Sequence, residues 1–287
     1  MNRVLISCPM SERICRGATP DSDNINYFTG IEWLKHIDNQ TYPDFDVYIN
    51  INDVSINTLQ EIMNCIKDMQ HMVYYDVITT GYPTDTRGTL KRRADVSREH
   101  GQKPYEHFAK MRNIVLDWFL VHNYSHLVSI DSDVMTHPDA VVVMISHIEN
   151  EPNLGMVGLP VNNSRMRMKK HREGLYHGTA QYNFGTVILH DKHSIENTVY
   201  RSIRSFDNSV LSVDFTGACI VMNGSMLRNN PEIRYGPHRQ GEDCYFCYKI
   251  KEAGYNIHIL TNHTTLHMQD PFIVPLDQES FKNREII

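Results

Sequence analysis

The chain has 287 residues, 41% of them hydrophobic, which is enough to bury a core within one large α/β unit. Its 34 acidic and 28 basic side chains leave a formal net charge of -6, which excludes a global attraction to nucleic acid or anionic membrane. The six cysteines are scattered and form no disulfide framework, and no stretch reaches the roughly 20 apolar residues of a membrane span. The expectation is a soluble, cytoplasmic protein without a targeting segment.

The first half alternates strand and helix patterns. "RVLISCP" (3–9) is a short apolar run stopped by proline, expected as a buried parallel strand. "NINYFTGIEWLKHID" (24–38) suits a helix with Phe28, Ile31, Leu34 and Trp33 toward the core, and "FDVYININD" (45–53) a second strand. "INTLQEIMNCIKDM" (56–69) sets Leu59, Ile62, Met63 and Ile66 on one helical face, and "MVYYDVITTG" (72–81) is a third strand ending at Gly81. Residues 82–104 are polar and basic without apolar period and read as a loop. "YEHFAKMRNIVLDWFLVHN" then repeats Phe108, Met111, Val115, Trp118, Phe119 and His122 at helical spacing. "HLVSI" is a fourth strand, and "HPDAVVVMISHIEN" opens a helix with Pro138 near its first position and Asp139 in its first turn.

The second half is less regular. "LGMVGLPV" (154–161) and "YNFGTVILH" (182–190) read as strands, and "DFTGACIVMNGSMLR" (214–228) as a strand leading into a helix. "GEDCYFCYKIKEAGY" (241–255) is helical after its first residues, and "NIHILTNHTTLHMQD" (256–270) gives a last strand and an extended tail. Its Cys244 and Cys247 form one CxxC with no second pair nearby, so packed core thiols are expected rather than a zinc site. With no internal repeat or linker, the chain reads as one domain with a mainly parallel sheet covered by helices. It divides into a first half (about 1–135), a less regular second half (about 136–270) and a tail (271–287).

Ligands of such sheets bind outside the carboxyl ends of the strands. Here those ends are Pro9, Asp53, Gly81 and the DSD sequence Asp131–Ser132–Asp133. Two carboxylates held at i and i+2 repel, and a divalent cation resolves the repulsion, since Mg2+ and Mn2+ favour carboxylate oxygen. The alternative is a pair of turn or capping residues before the next helix. Glu242 and Asp243 begin a helix, where the dipole favours negative charge with or without a catalytic role. His267 is a candidate third metal ligand, His263 its competitor, and either could be a surface histidine.

An "RN" pair on a helix, a strand ending in DxD, "TGACIVM", "GEDCYFCYKIKEAGY" and a late histidine follow one another in this order. The pattern resembles the GT-A fold of nucleotide-sugar glycosyltransferases, most of all the family-2 group. "VLISCPMSER" and "YPDFDVYININDVSINT" are similar to that group's first two strands, so the resemblance spans nearly all of residues 3–270. It implies a metal-dependent transfer of a sugar from a nucleotide-sugar donor, most readily a UDP-sugar, with Mn2+ or Mg2+ as cofactor. Asp133 would bind the metal directly, with Asp131 on the ribose or reaching the metal through water, Ser132 between them, and His267 completing the site. Asp53, and Pro9 more loosely, would face the base, and Arg112 and Asn113 would lie near the donor. An ordinary solvated position is the alternative for Arg112. Asp243 would be the general base of an inverting reaction, or Glu242 if that side chain faces the site. The departure is "NIND" where the family more usually carries a run of aspartates.

Two segments are basic in this acidic chain, 87–98 with Arg87, Lys91, Arg92, Arg93 and Arg98, and 165–172 with Arg165, Arg167, Lys169, Lys170, His171 and Arg172. They read as solvated loops, as a lid over the donor diphosphate, or as a grip on an anionic acceptor such as DNA. Two other classes stay open: a non-catalytic GT-A-like glycan- or nucleic-acid-binding module, and a GT-A-shaped nucleotidyltransferase. The second would carry a glycine-rich, lysine-containing first loop, which "SCPMSERICRGATP" matches poorly.

Overall fold

A computed structural model describes residues 3–11, 30–81, 103–163, 187–189, 199–201, 209–238, 241–263 and 265–267. The N-terminal half has β1 (Val4–Ser11), α1 (Gly30–Asp38), β2 (Phe45–Asn52), α2 (Ile56–Lys67) and β3 (Val73–Ile78). It continues with α3 (Lys103–Val121), β4 (His126–Ile130), β5 (Val134–Met135) and α4 (Ala140–Asn150). Then come β6 (Leu154–Gly158), β7 (Val161–Asn163), β8 (Val187–Leu189), β9 (Val199–Arg201) and β10 (Val210–Val213). The chain closes with β11 (Cys219–Asn223), α5 (Gly224–Asn229), α6 (Glu242–Glu252), β12 (Asn256–Leu260) and β13 (Thr265–His267).

Eight strands form one sheet in the order β10-β12-β6-β11-β4-β1-β2-β3. β1 pairs in parallel with β2 and β4, β2 with β3, and β6 with β12, while β11 is antiparallel to both of its neighbours and β10 to β12. The mainly parallel α/β sheet expected from the strand–helix alternation is therefore present, with β11 as the reversed strand at its centre. One apolar cluster joins β1, β2 and β4 to α1 and α4, including Ile6, Trp33, Ile49, Val128 and Val141. A second lies on the opposite face, where Leu5, Leu127 and Met222 meet Val115 and Phe119 of α3 and Phe246 and Ile250 of α6. Alternate residues of β1 and β4 divide between these clusters, as the period of a strand buried on both faces requires.

Several boundaries differ from the sequence reading: β3 ends at Ile78 and not Gly81, the 154–161 run divides between β6 and β7, α3 begins at Lys103 within the expected loop, and β1 and α4 differ as follows. β1 runs past Pro9 to Ser11 because the β4 register ends at Ser7–Ser129, leaving the later residues paired with β2 alone. The Pro9 carbonyl accepts from Ser132 Oγ at 3.3 Å, so the missing N–H of Pro9 is on the DSD side and costs the β2 ladder nothing. α4 begins at Ala140, with Asp139 at the N-cap, where its carboxylate accepts from Thr41 Oγ1 at 2.7 Å instead of capping the helix. Cys244 and Cys247 are both buried thiols. Among the described residues no helix is long and apolar enough to cross a membrane.

Candidate active site

β1, β2, β3 and β4 point the same way, so Ser11, Asn52, Ile78 and Ile130 end at one rim. β11 runs against β4, which brings the segment entering it, Thr216–Ala218, to that same rim. The Asp131 N–H donates to the Ala218 carbonyl at 2.8 Å. Ala218 holds φ 64, a left-handed conformation that costs an alanine on the order of 1 kcal/mol and is kept where the surroundings over-determine it. Val134 N–H closes the DSD turn by donating to the Asp131 carbonyl at 2.9 Å.

Arg112, at mid-length in α3, reaches into this turn and is 7% exposed, so it is not a solvated helix residue. Its Nη2 donates to Asp131 Oδ1 at 2.8 Å and its Nη1 to Ser129 Oγ at 3.1 Å. Its Nε lies 3.4 Å from Glu242 Oε1 and 3.5 Å from Asp243 Oδ1, and its guanidinium stands 5.5 Å from the Tyr235 ring centre. Burial alone would lower the Arg112 pKa, but Asp131, Asp243, Tyr235 and Glu242 together hold it well above its ordinary value. One permanently charged group thus joins the turn after β4 to the first turn of α6.

The two acids of α6 differ in their surroundings. The Glu242 side chain is 2% exposed, whereas that of Asp243 is 19% exposed and so reaches solvent. Gly217 makes room for it: a Cβ there would stand 2.8 Å from Asp243 Oδ2. Beneath them Tyr235 stacks on Phe246 with centroids 4.1 Å apart, and burial, opposed by Arg112, keeps the Tyr235 hydroxyl well above its ordinary pKa. Cys8, beside Asp131 and Ser132, is likewise pushed well up by burial and then by Asp131, so it stays a neutral thiol.

The remaining sequence candidates fall as follows. Asn113 exchanges two hydrogen bonds with the Tyr235 backbone, Nδ2 donating at 2.9 Å and Oδ1 accepting at 3.0 Å, so its amide fixes the chain leading to α6. Asp53 has φ 51 and accepts from the Thr80 N–H at 2.8 Å, the Gly81 N–H at 3.3 Å and the Thr80 hydroxyl, tying the ends of β2 and β3 together. Ser132 is buried against Pro9. In a small sheet of β5, β13 and β7, His267 pairs with Val134, one residue beyond Asp133. The basic segments 87–98 and 165–172 lie outside the described residues.

Ser129, Gly217 and Tyr235 were not singled out in the sequence. Ser129 follows from the strand period, since it shares a face with Asp131. Gly217 lies within the "TGACIVM" segment, though nothing there tells that it faces Asp243, and Tyr235 has no signal because its partners lie far away along the chain.

No protein-family model matches the chain, nor does any curated protein. Its fold is similar to that of S. aureus TarS, with TM-score 0.52 at 14% identity over 94% of this chain and 37% of that one. S. aureus TarS 1-349 in complex with UDP superposes with TM-score 0.51 at 14% identity, over 93% of this chain and 60% of that one. The fold is GT-A. The mannosyltransferase PcManGT from Pyrobaculum calidifontis, in complex with GDP-Man and Mn2+, gives TM-score 0.50 at 14% identity, over 92% of this chain and 56% of that one. The chain therefore spans less than two thirds of each of these GT-A structures.

The donor set at the end of β4 suits a hard divalent cation. Asp131 and Asp133 offer carboxylate oxygen, and the register of β13 brings the backbone of a histidine beside them. Among the described residues no three ligating side chains stand together, and the side chain of His267 lies outside them.

Proposed function

We propose that the chain is a glycosyltransferase that moves a hexosyl or pentosyl group from a nucleotide-sugar, a UDP-sugar in the first instance, to an acceptor hydroxyl with inversion. The observation that carries this reading is Arg112, which on a GT-A sheet binds both the DSD carboxylate Asp131 and the acids Glu242 and Asp243. TarS and PcManGT are described with UDP and with GDP-Man and Mn2+ respectively, which makes the same ligand classes the natural trial for this chain. The whole of 1–287 is read as one GT-A unit with its donor half about 1–135.

Asp133, with Asp131, would hold Mn2+ or Mg2+, which supplies charge neutralisation to a departing nucleoside diphosphate. Asp243 accepts the proton of the acceptor hydroxyl as that oxygen bonds to the anomeric carbon and the bond from that carbon to the diphosphate breaks. Its partial exposure beside a buried Glu242 favours Asp243 for this task over its neighbour. Asp53 and Pro9 border the place for the base, and the two basic segments are the candidates for an anionic acceptor such as DNA.

Incubation with UDP-, GDP-, CMP- and dTDP-sugars in Mn2+ tests the reading by release of the nucleotide. Turnover of one donor that vanishes in EDTA and in Asp133→Ala is expected. Absence of turnover with every donor, together with tight polyanion binding, would favour a GT-A-like binding module instead.

A further inference from the structure

Three carboxylates from two elements converge on one guanidinium. Asp131, on the turn after β4, takes the 2.8 Å hydrogen bond, while Glu242 and Asp243, in the first turn of α6, lie 3.4 and 3.5 Å from Nε on another edge of the same planar group. Arg112 is buried, and two further contacts among the described residues, Ser129 and the Tyr235 ring, are neutral. Its charge is therefore divided among these acids, and whatever one acid gives up the others gain.

We propose that Arg112 is a positioning residue that couples the metal-binding side of the site to the acceptor side, because it competes with a divalent cation for Asp131 while holding Asp243 in place. The inference rests on the glycosyltransferase reading above. Asp131, if it joined Asp133 in holding a cation, would give less to Nη2 and leave more of the guanidinium's charge to Glu242 and Asp243. Conversely, loss of an acid on α6 leaves Arg112 with fewer partners and binds it more tightly to Asp131, which opposes the metal. Reciprocity of this kind is required of any two sites that share one charge. A planar fork can hold both edges at once, which the single ammonium of a lysine cannot.

The coupling is read from Mn2+ affinity, measured by calorimetry and by the electron spin resonance of free Mn2+, on the full chain with UDP or GDP present. Four proteins form the cycle: wild type, Arg112→Gln, Asp243→Asn and the double variant. Asp243→Asn is expected to weaken Mn2+ binding on the order of fivefold in the wild-type background and less than about twofold beside Arg112→Gln. Arg112→Gln alone is expected to bind Mn2+ at least as tightly as wild type, since its competitor is gone. Should Arg112→Gln fail to fold, Arg112→Lys replaces it in the cycle, and the Asp243→Asn step shrinks there too. An equal Asp243→Asn step in both backgrounds overturns the coupling and leaves the glycosyltransferase reading standing. Failure of wild type to bind Mn2+ with either nucleotide overturns the metal site and the coupling with it.

Discussion

Asp243 has solvent access on one side, Arg112 on another and the clearance left by Gly217 on a third. Asp243→Asn keeps that shape and removes the proposed proton acceptor, so transfer should fall by about 10²–10⁴-fold with nucleotide binding within a few-fold of wild type under saturating metal. A steady-state rate beside a nucleotide titration checks both halves. Gly217→Ala attacks the same group from behind. A Cβ placed 2.8 Å from Asp243 Oδ2 must push the carboxylate aside. Misplacement of about 1 Å can cost on the order of 100-fold in rate, whereas overpacking here should cost only about 1–3 kcal/mol of stability. An inactive variant that still melts cooperatively is the expected result; full activity would remove Gly217 from the site. The acids themselves were legible, since DSD after an apolar strand and ED at a helix start are residue types in order. Arg112 was legible only as half of an "RN" pair, because nothing in sequence tells how far position 112 lies from 131 or 242.

His36 in the last turn of α1 and Gln40 just after it hold the segment that follows the DSD turn. The Thr136 N–H donates to His36 Nε2 at 2.9 Å, and Gln40 Nε2 donates to Thr136 Oγ1 and to the His137 carbonyl, each at 3.2 Å. An imidazole nitrogen that accepts from a backbone N–H must be unprotonated, and burial, with His137 adding to it, lowers the His36 pKa from 6.5 to about 4. The unfolded chain therefore binds more protons than the folded one between these values. Stability from His36 is complete above about pH 6.5 and is lost as the pH falls toward 4, by up to about 2 kcal/mol at pH 5. His36→Gln keeps an acceptor without a titrating group. Urea midpoints of that variant should fall less between pH 7.5 and pH 5 than those of wild type, and identical slopes would refute the clamp. The helices and strands at this scale were largely readable from apolar period. Pro9 misled because proline marks a strand's end only where its N–H would be needed, and Asp139 because its carboxylate serves Thr41 across a tertiary contact. The reversal of β11 was not legible, since a five-residue buried strand reads the same in either direction.

β11 is also what unites the molecule. It pairs with β4 on one side and β6 on the other, so the end that would carry the donor and the half that holds α6 belong to one continuous sheet. A ligand seated between Asp131–Asp133 and α6 would bind the folded chain alone, because Asp131 and Asp243 come together only when that sheet is complete. Such a ligand stabilises the whole by mass action: a nucleoside diphosphate with Mn2+ at 100 times its Kd adds about 2.7 kcal/mol. At roughly 2–4 °C per kcal/mol for domains of 150–250 residues, the melting transition should rise by roughly 5–10 °C as a single cooperative step. EDTA should reverse most of that rise, and Asp133→Ala should abolish it while leaving the ligand-free transition nearly unchanged, since a partly exposed acid at the rim contributes little to the core. The nucleotide that gives the largest metal-dependent shift in a scanning calorimeter names the donor class. If the shift persists in EDTA, the nucleotide binds without the DSD metal, and Asp133 loses the role assigned to it.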